Sequence, residues 1–248
     1  MKKIQFPESW TSSQWYGFTR YDFTFENYKA FLVEPKYPAG DGRWNWCMVW
    51  PDSFVERVAT PLLLEHGFYH VHIDLFATKA SPEGVKTMVR FYDFLTGLGL
   101  AKKCALQGLS WGGFFSLRFA SENPEKVASL YLDAPVCNAA DPHESAAGRV
   151  KAICEQYGKT REELETSPLN PLNHLEGIAK ASFPIHAEIG LWDLAVNIDT
   201  NIFELEKRLA ALGKNITMNK RNFWGHHPHG VDDPERLLAF HCKALEEA

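Results

Sequence analysis

The chain of 248 residues has no basic block: its 26 Lys and Arg are outnumbered by 31 Asp and Glu, and the net charge is -5. Binding a phosphate backbone needs clustered Lys and Arg, so nucleic acid is not an expected partner. No apolar run approaches the roughly 18 residues of a membrane-spanning helix, so no membrane partner is expected. The five cysteines (Cys47, Cys104, Cys137, Cys154 and Cys242) have no paired spacing and form no C-x-x-C or zinc-ligand pattern. Their odd number favours reduced thiols, and Met1-Lys2-Lys3-Ile4-Gln5-Phe6-Pro7-Glu8 is no signal-peptide core. A cytoplasmic location is therefore expected; a periplasmic or secreted one requires a leader already removed.

Apolar residues make up 45% and charged residues 23%, ordinary values for a globular protein of one α/β core, treated as a single domain over 1–248. Residues 1–16 have no sustained period and read as an N-terminal arm. Phe18–Phe25 alternates and is rich in β-formers, Tyr28–Glu34 reads as a second strand ended by Pro35, and together they suggest an antiparallel hairpin at a sheet edge. Strands are expected within 44–50, 68–75, 103–107, 127–132, 183–190 and 216–218. Helices are expected over 55–66, from Pro82 to about 97, from 114, over 201–212 and over 234–245. Strand and helix alternate, so a mostly parallel sheet with helices on both faces is the economical solution. Residues of about 135–175 break that rhythm. With a helix at Ala147–Tyr157, they read as a small cap-like insertion. His70 and His72 share one face of their strand and are expected to face polar loops or solvent rather than to bind a metal.

The chemistry centres on Gly108-Leu109-Ser110-Trp111-Gly112-Gly113, a G-x-S-x-G run with a buried strand before it and helical spacing after it. Strand, G-x-S-x-G, helix is the context of a nucleophile elbow, in which Ser110 sits at the apex of a strained turn. Gly108 and Gly112 are expected at positions where a Cβ would crowd neighbouring backbone. A serine nucleophile needs a base, and the base an orienting carboxylate. In the expected strand order both lie downstream, acid before histidine. Asp193 leaves the strand near 190, with Asp199 and Asp133 as competing carboxylates. The loop Gly225-His226-His227-Pro228-His229-Gly230 supplies the base. His226, directly after Gly225, is preferred; His227 and His229 are alternatives, and His229 could instead tie down the loop. Spacings of one and three make this tight loop an awkward shared metal site, so no metal and no cofactor are expected. The oxyanion donors are expected to be the backbone N–H of Trp111 and of Cys47, with Met48 the fallback. Trp46, Met48, Trp192 and His229 are candidates for the substrate pocket.

From about Phe18 onward the chain resembles the alpha/beta-hydrolase superfamily. More narrowly, it resembles bacterial esterase and serine-hydrolase domains. The resemblance lies in Trp44-Asn45-Trp46, the elbow Gly108 to Gly113, Tyr131-Leu132-Asp133-Ala134-Pro135-Val136-Cys137 and Gly225 to Gly230. It implies an alpha/beta-hydrolase fold and supports His226, which directly follows the glycine. The family's G-D-x-D acid loop matches Gly190-Leu191-Trp192-Asp193, and its following asparagine resembles Asn201. Trp111 stands where the narrower group usually has arginine, and Leu191-Trp192 where small or acidic residues are common; both departures imply an altered pocket. The expected activity is hydrolysis of a carboxylic ester through an acyl-enzyme; the small cap suggests a small acyl group, and the tryptophans allow an acetylated carbohydrate. A catalytically silent binding protein or scaffold of the same fold and a serine-dependent acyltransferase are the alternatives. Oligomeric state is left open.

Overall fold

In the computed structural model, residues 4–246 are described. The strands are β1 (Thr11–Trp15), β2 (Phe18–Phe25), β3 (Tyr28–Glu34), β4 (Trp44–Cys47), β5 (Tyr69–Ile73), β6 (Cys104–Leu109), β7 (Val127–Asp133), β8 (Ile185–Gly190) and β9 (Thr217–Arg221). They form one nine-stranded sheet in the order β1-β2-β3-β5-β4-β6-β7-β8-β9. The first three pairings are antiparallel and the remaining five parallel. The chain runs from β4 outward to β5, then returns to place β6 on the other side of β4. That reversal makes a crevice at the carboxyl ends of β4 and β6, where ligands of open parallel sheets bind.

The helices are α1 (Thr60–Glu65), α2 (Pro82–Leu98), α3 (Trp111–Glu122), α4 (Ala147–Tyr157), α5 (Arg161–Thr166), α6 (Glu176–Lys180), α7 (Glu204–Ala211) and α8 (Glu235–Glu246). Strand alternation sorts β7 between two layers. Leu130 and Leu132 join the large core with Phe114, Phe119 and Leu205, and Tyr131 joins Val58 and Leu237. Thus α2, α3 and α7 cover one face, and α1 with α8 the other. β6 is buried at every residue because both its faces are covered.

The hairpin β2–β3 has the expected bounds. The arm does not: Thr11–Trp15 adds an edge strand to β2, joined through Tyr16 and Gly17, both at positive φ (49° and 79°). A two-residue turn with left-handed φ at both positions matches strand twist, and the exposed, polar strand gave no alternating signal. Residues 1–3 of the expected arm lie outside the described residues. The helix expected over 55–66 is shortened to α1, with turns before it. The insertion carries α4 and α5, and its Ile153 and Leu164 belong to the large core. The Tyr157 hydroxyl donates to the carbonyls of Lys79 and Ala80 at 3.0 and 2.7 Å.

His70 and His72 correct the expectation of solvent-facing rings, for both are buried. Asn45 donates to His70 Nδ1 at 2.9 Å, and His72 Nδ1 donates to the Cys47 carbonyl at 2.8 Å. Burial, with neighbouring His72, lowers the pKa of His70 to about 3, so it is a neutral core residue.

A second buried polar group braces the sheet near its C-terminal edge. The Glu188 carboxylate accepts from His186 (2.8 Å), Asn219 (2.8 Å) and the Arg221 guanidinium (2.6 Å). Burial alone would raise its pKa, but these donors hold the carboxyl below the ordinary value of 4.5. A lowered folded-state pKa gives stability that is present above the unfolded value and lost as pH falls through the folded one. Glu188→Ala strands Arg221 and is expected to cost about 3 kcal/mol at neutral pH. Urea denaturation should show the gap to wild type narrowing as pH falls below 4.5.

Candidate active site

Ser110 joins β6 to α3 with φ 50° and ψ -116°, a conformation that L-residues rarely adopt. Three backbone bonds hold it there. Its N–H donates to the Asp133 carbonyl (2.9 Å), while its own carbonyl accepts from Gly113 (3.0 Å) and Val136 (2.9 Å). Gly108 is required as expected, since a Cβ would lie 2.6 Å from the Gly112 carbonyl oxygen. Gly112 is different: a Cβ there would meet Val49 N at an ordinary 3.5 Å. The crowded helix glycine is Gly113, where a Cβ would fall on Pro135 Cβ and 3.0 Å from its Cα.

The structure brings Ser110, His226 and Asp193 together from three separate loops. Ser110 Oγ lies 3.0 Å from His226 Nε2, and His226 Nδ1 lies 2.7 Å from Asp193 Oδ2. The N–H groups of Ala195 and Val196 donate to Asp193 Oδ1, both at 2.8 Å. Those two bonds orient the carboxylate and leave its other oxygen for the imidazole. Asp199 instead lies in the π-type turn Asp199–Phe203 that precedes α7. In the same turn, buried Asn201 accepts from the N–H groups of Cys137 and Asn138 at 2.9 and 3.1 Å, fixing the loop after β7.

Asp133 anchors the histidine loop. Its carboxylate accepts from His229 Nδ1 (2.6 Å), Gly230 N (2.7 Å) and the Tyr131 hydroxyl (2.6 Å). His229 is therefore a buried tie for the loop rather than a pocket residue. Arg221 adds a hydrogen bond to the Gly230 carbonyl. His227 is exposed, and its ring lies over Phe54 at 5.7 Å. Partial burial and the adjacent His229 and His226 lower its pKa. Despite the awkward spacing, one ring nitrogen from each of the three histidines lies within 4.8 Å of the others.

Trp111, the other expected oxyanion donor, is the first residue of α3, where helix N–H groups are free of intrahelical partners. Cys47 and Met48 are corrected. Cys47 is still in the strand, registered with Gln107, and Met48 N–H donates to the Gln107 carbonyl at 3.1 Å. Neighbouring strand residues point their N–H groups to opposite edges, so that of Cys47 faces β5, away from Ser110. The next residue, Val49, places its nitrogen beside Gly112. Sequence did not single out Val49, because where the ladder with β6 ends depends on register between distant strands.

Trp46 also moves, from pocket to core: it is fully buried against Trp44, Phe91 and Phe119. Trp192 is 61% exposed and meets Phe223 edge-on. Met48 lines a cleft of about 710 Å³ between the β2–β3 hairpin and the 48–52 loop. Arg20, Asp22, Trp50, Asp52 and Phe76 line it too, as does Val49. Phe76 connects the cleft to the elbow, lying 5.1 Å from the ring of Trp50 and 5.6 Å from that of Trp111.

A family model described as alpha/beta hydrolase fold matches residues 52–172. This chain has the alpha/beta-hydrolase fold. The S-formylglutathione hydrolase of Agrobacterium tumefaciens is similar with a TM-score of 0.69 and 14% identity, over 96% of each chain. Est1E from Butyrivibrio proteoclasticus gives 0.61 and 14%, over 96% of this chain and 98% of its own. A Bacteroides ovatus protein assigned as a dipeptidyl aminopeptidase IV gives 0.66 and 13%, over 95% of this chain. This chain spans only 35% of that last protein's length. No curated protein matches the sequence significantly. No helix among the described residues is long and apolar enough to cross a membrane.

The crowding at the elbow separates its two adjacent glycines. Gly113→Ala is expected to cost about 1–3 kcal/mol through overpacking against Pro135. Gly112→Ala is expected to stay within about 1 kcal/mol of wild type, since alanine suits a helix better than glycine. Paired urea melts of the two variants check this order.

Proposed function

We propose that the protein is a serine hydrolase acting on carboxylic esters, with Ser110 as nucleophile, His226 as base and Asp193 as the orienting acid. The observation that carries this reading is the continuous hydrogen-bonded chain from Ser110 Oγ through His226 to Asp193, ending on a serine in a strained turn. His226 Nε2 takes the hydroxyl proton as Ser110 Oγ attacks the carbonyl carbon. The imidazolium that forms keeps its Nδ1–H on Asp193, which stabilises the positive charge without accepting the proton. The N–H groups of Trp111 and Val49 receive the negative oxygen of the tetrahedral intermediate. His226 then protonates the leaving alcohol, and water attacks the acyl-Ser110 ester with His226 again as base.

A polar, hydroxyl-bearing alcohol fits the surroundings of the site, and the small size of the insertion over 135–175 favours a short acyl group. The rings of Trp111, Phe76 and Trp50 form an aromatic wall beside the elbow. Across the 48–52 loop, the cleft combines the faces of Trp50 and Phe76 with Asp22, Asp52 and Arg20. Aromatic faces for stacking and charged groups for hydroxyl hydrogen bonds suit an acetylated carbohydrate.

Labelling with a fluorophosphonate, followed by intact-protein mass, tests the activated serine directly. The wild-type protein should gain one adduct, and Ser110→Ala none. His226→Ala should slow ester turnover by roughly four orders of magnitude or more. Across nitrophenyl esters of rising acyl length, kcat/KM should be highest for acetate or propionate. A folded wild-type protein that takes no label would overturn the proposal.

A further inference from the structure

The histidine loop offers a second chemistry. Asp193 occupies Nδ1 of His226, and Asp133 occupies Nδ1 of His229, at 2.7 and 2.6 Å. Each ring is thus fixed in the tautomer whose other nitrogen, Nε2, carries a lone pair. A carboxylate on one ring nitrogen is the usual support of a metal-binding histidine, because it sets the tautomer and makes the free nitrogen more basic. Here two such carboxylate–imidazole pairs stand side by side, with ring centroids 4.9 Å apart. His227 completes the cluster, its centroid 4.9 Å from that of His226 and 4.8 Å from that of His229. Donors at about 2.0–2.1 Å around a tetrahedral ion stand roughly 3.4 Å from one another. The three nitrogens lie within 4.8 Å of one another, so a modest inward movement of the rings brings them to that spacing.

We propose that His226, His227 and His229 form an inhibitory site for a borderline divalent cation of the Zn²⁺ or Ni²⁺ class. Imidazole nitrogen suits these ions, whereas Mg²⁺ and Ca²⁺ prefer oxygen. The ion takes the lone pair of His226 Nε2, the same pair that accepts the Ser110 hydroxyl hydrogen bond. Coordination and base action exclude each other: with the ion bound, Ser110 keeps its proton and has no base. Chelation restores the hydrogen bond without any covalent change. The site is thus a reversible off-switch set by free metal concentration. The inhibitory effect rests on the proposed serine-hydrolase reading, but the binding does not.

Calorimetric titration of Zn²⁺ into tag-free Ser110→Ala protein tests binding with no activity required. One ion per chain is expected, and adding His227→Ala or His227→Gln should weaken binding by about tenfold or more. No binding at 100-fold excess, or equal affinity once His227 is replaced in variants with native circular dichroism, would overturn the site. In the wild-type protein, Zn²⁺ should block fluorophosphonate labelling, EDTA should restore it, and equal Mg²⁺ should have no effect. Labelling that proceeds at saturating Zn²⁺ would overturn the inhibitory role. Absence of labelling without metal would instead count against the hydrolase reading, with the calorimetric result still judging the site.

Discussion

The Ser110 turn is held by a single hydrogen bond across the sheet, from its N–H to the Asp133 carbonyl, and by the two bonds that its own carbonyl accepts. A residue at φ 50° costs of order 1–3 kcal/mol, and such strain persists only where surrounding structure imposes it. Strand β7 imposes it here. The same residue that fixes the serine with its carbonyl fixes the histidine loop with its carboxylate, through His229 and Gly230. Asp133 therefore couples the positions of Ser110 and His226 without touching either side chain. A shift of β7 would displace both together.

Behind Asp133 stands another polar layer. Glu188 accepts the Ala134 N–H with its carbonyl and pairs with Arg221 through its carboxylate, and Arg221 reaches the Gly230 carbonyl. Buried charges are costly unless paired and hydrogen-bonded, and each member of this layer meets that condition. The arrangement spends polar groups inside the fold to fix loops at the carboxyl ends of β6, β7 and β8. This concentration of buried Asp, Glu, His and Arg follows the site rather than the apolar core on the α2–α3 side.

In the histidine loop the proposed catalytic base and the proposed metal site draw on one arrangement. Carboxylates on Nδ1 of His226 and His229 prepare Nε2 as a proton acceptor and equally as a metal ligand, because both use the same lone pair. Which chemistry prevails depends on what reaches the loop. Exposed His227 is the side chain that distinguishes the two proposals, since the Ser110–His226 hydrogen bond makes no use of it.

Local pattern determined much of this protein. The strand–G-x-S-x-G–helix run marked Ser110, the glycine before His226 marked that ring, and the end of β8 marked Asp193, because each depends on a few adjacent residues. Alternation likewise marked β2, and the apolar run Ala30-Phe31-Leu32-Val33 before Pro35 marked β3. Tertiary structure decided what pairing between distant strands controls. The register of β4 on β6 commits Met48 N–H to Gln107 and leaves Val49 beside the elbow. Packing buries Trp46 as core and keeps His70 neutral, and a hydrogen bond between distant segments ties His229 to Asp133. Such facts have no local period, since they arise only when residues far apart in the chain meet.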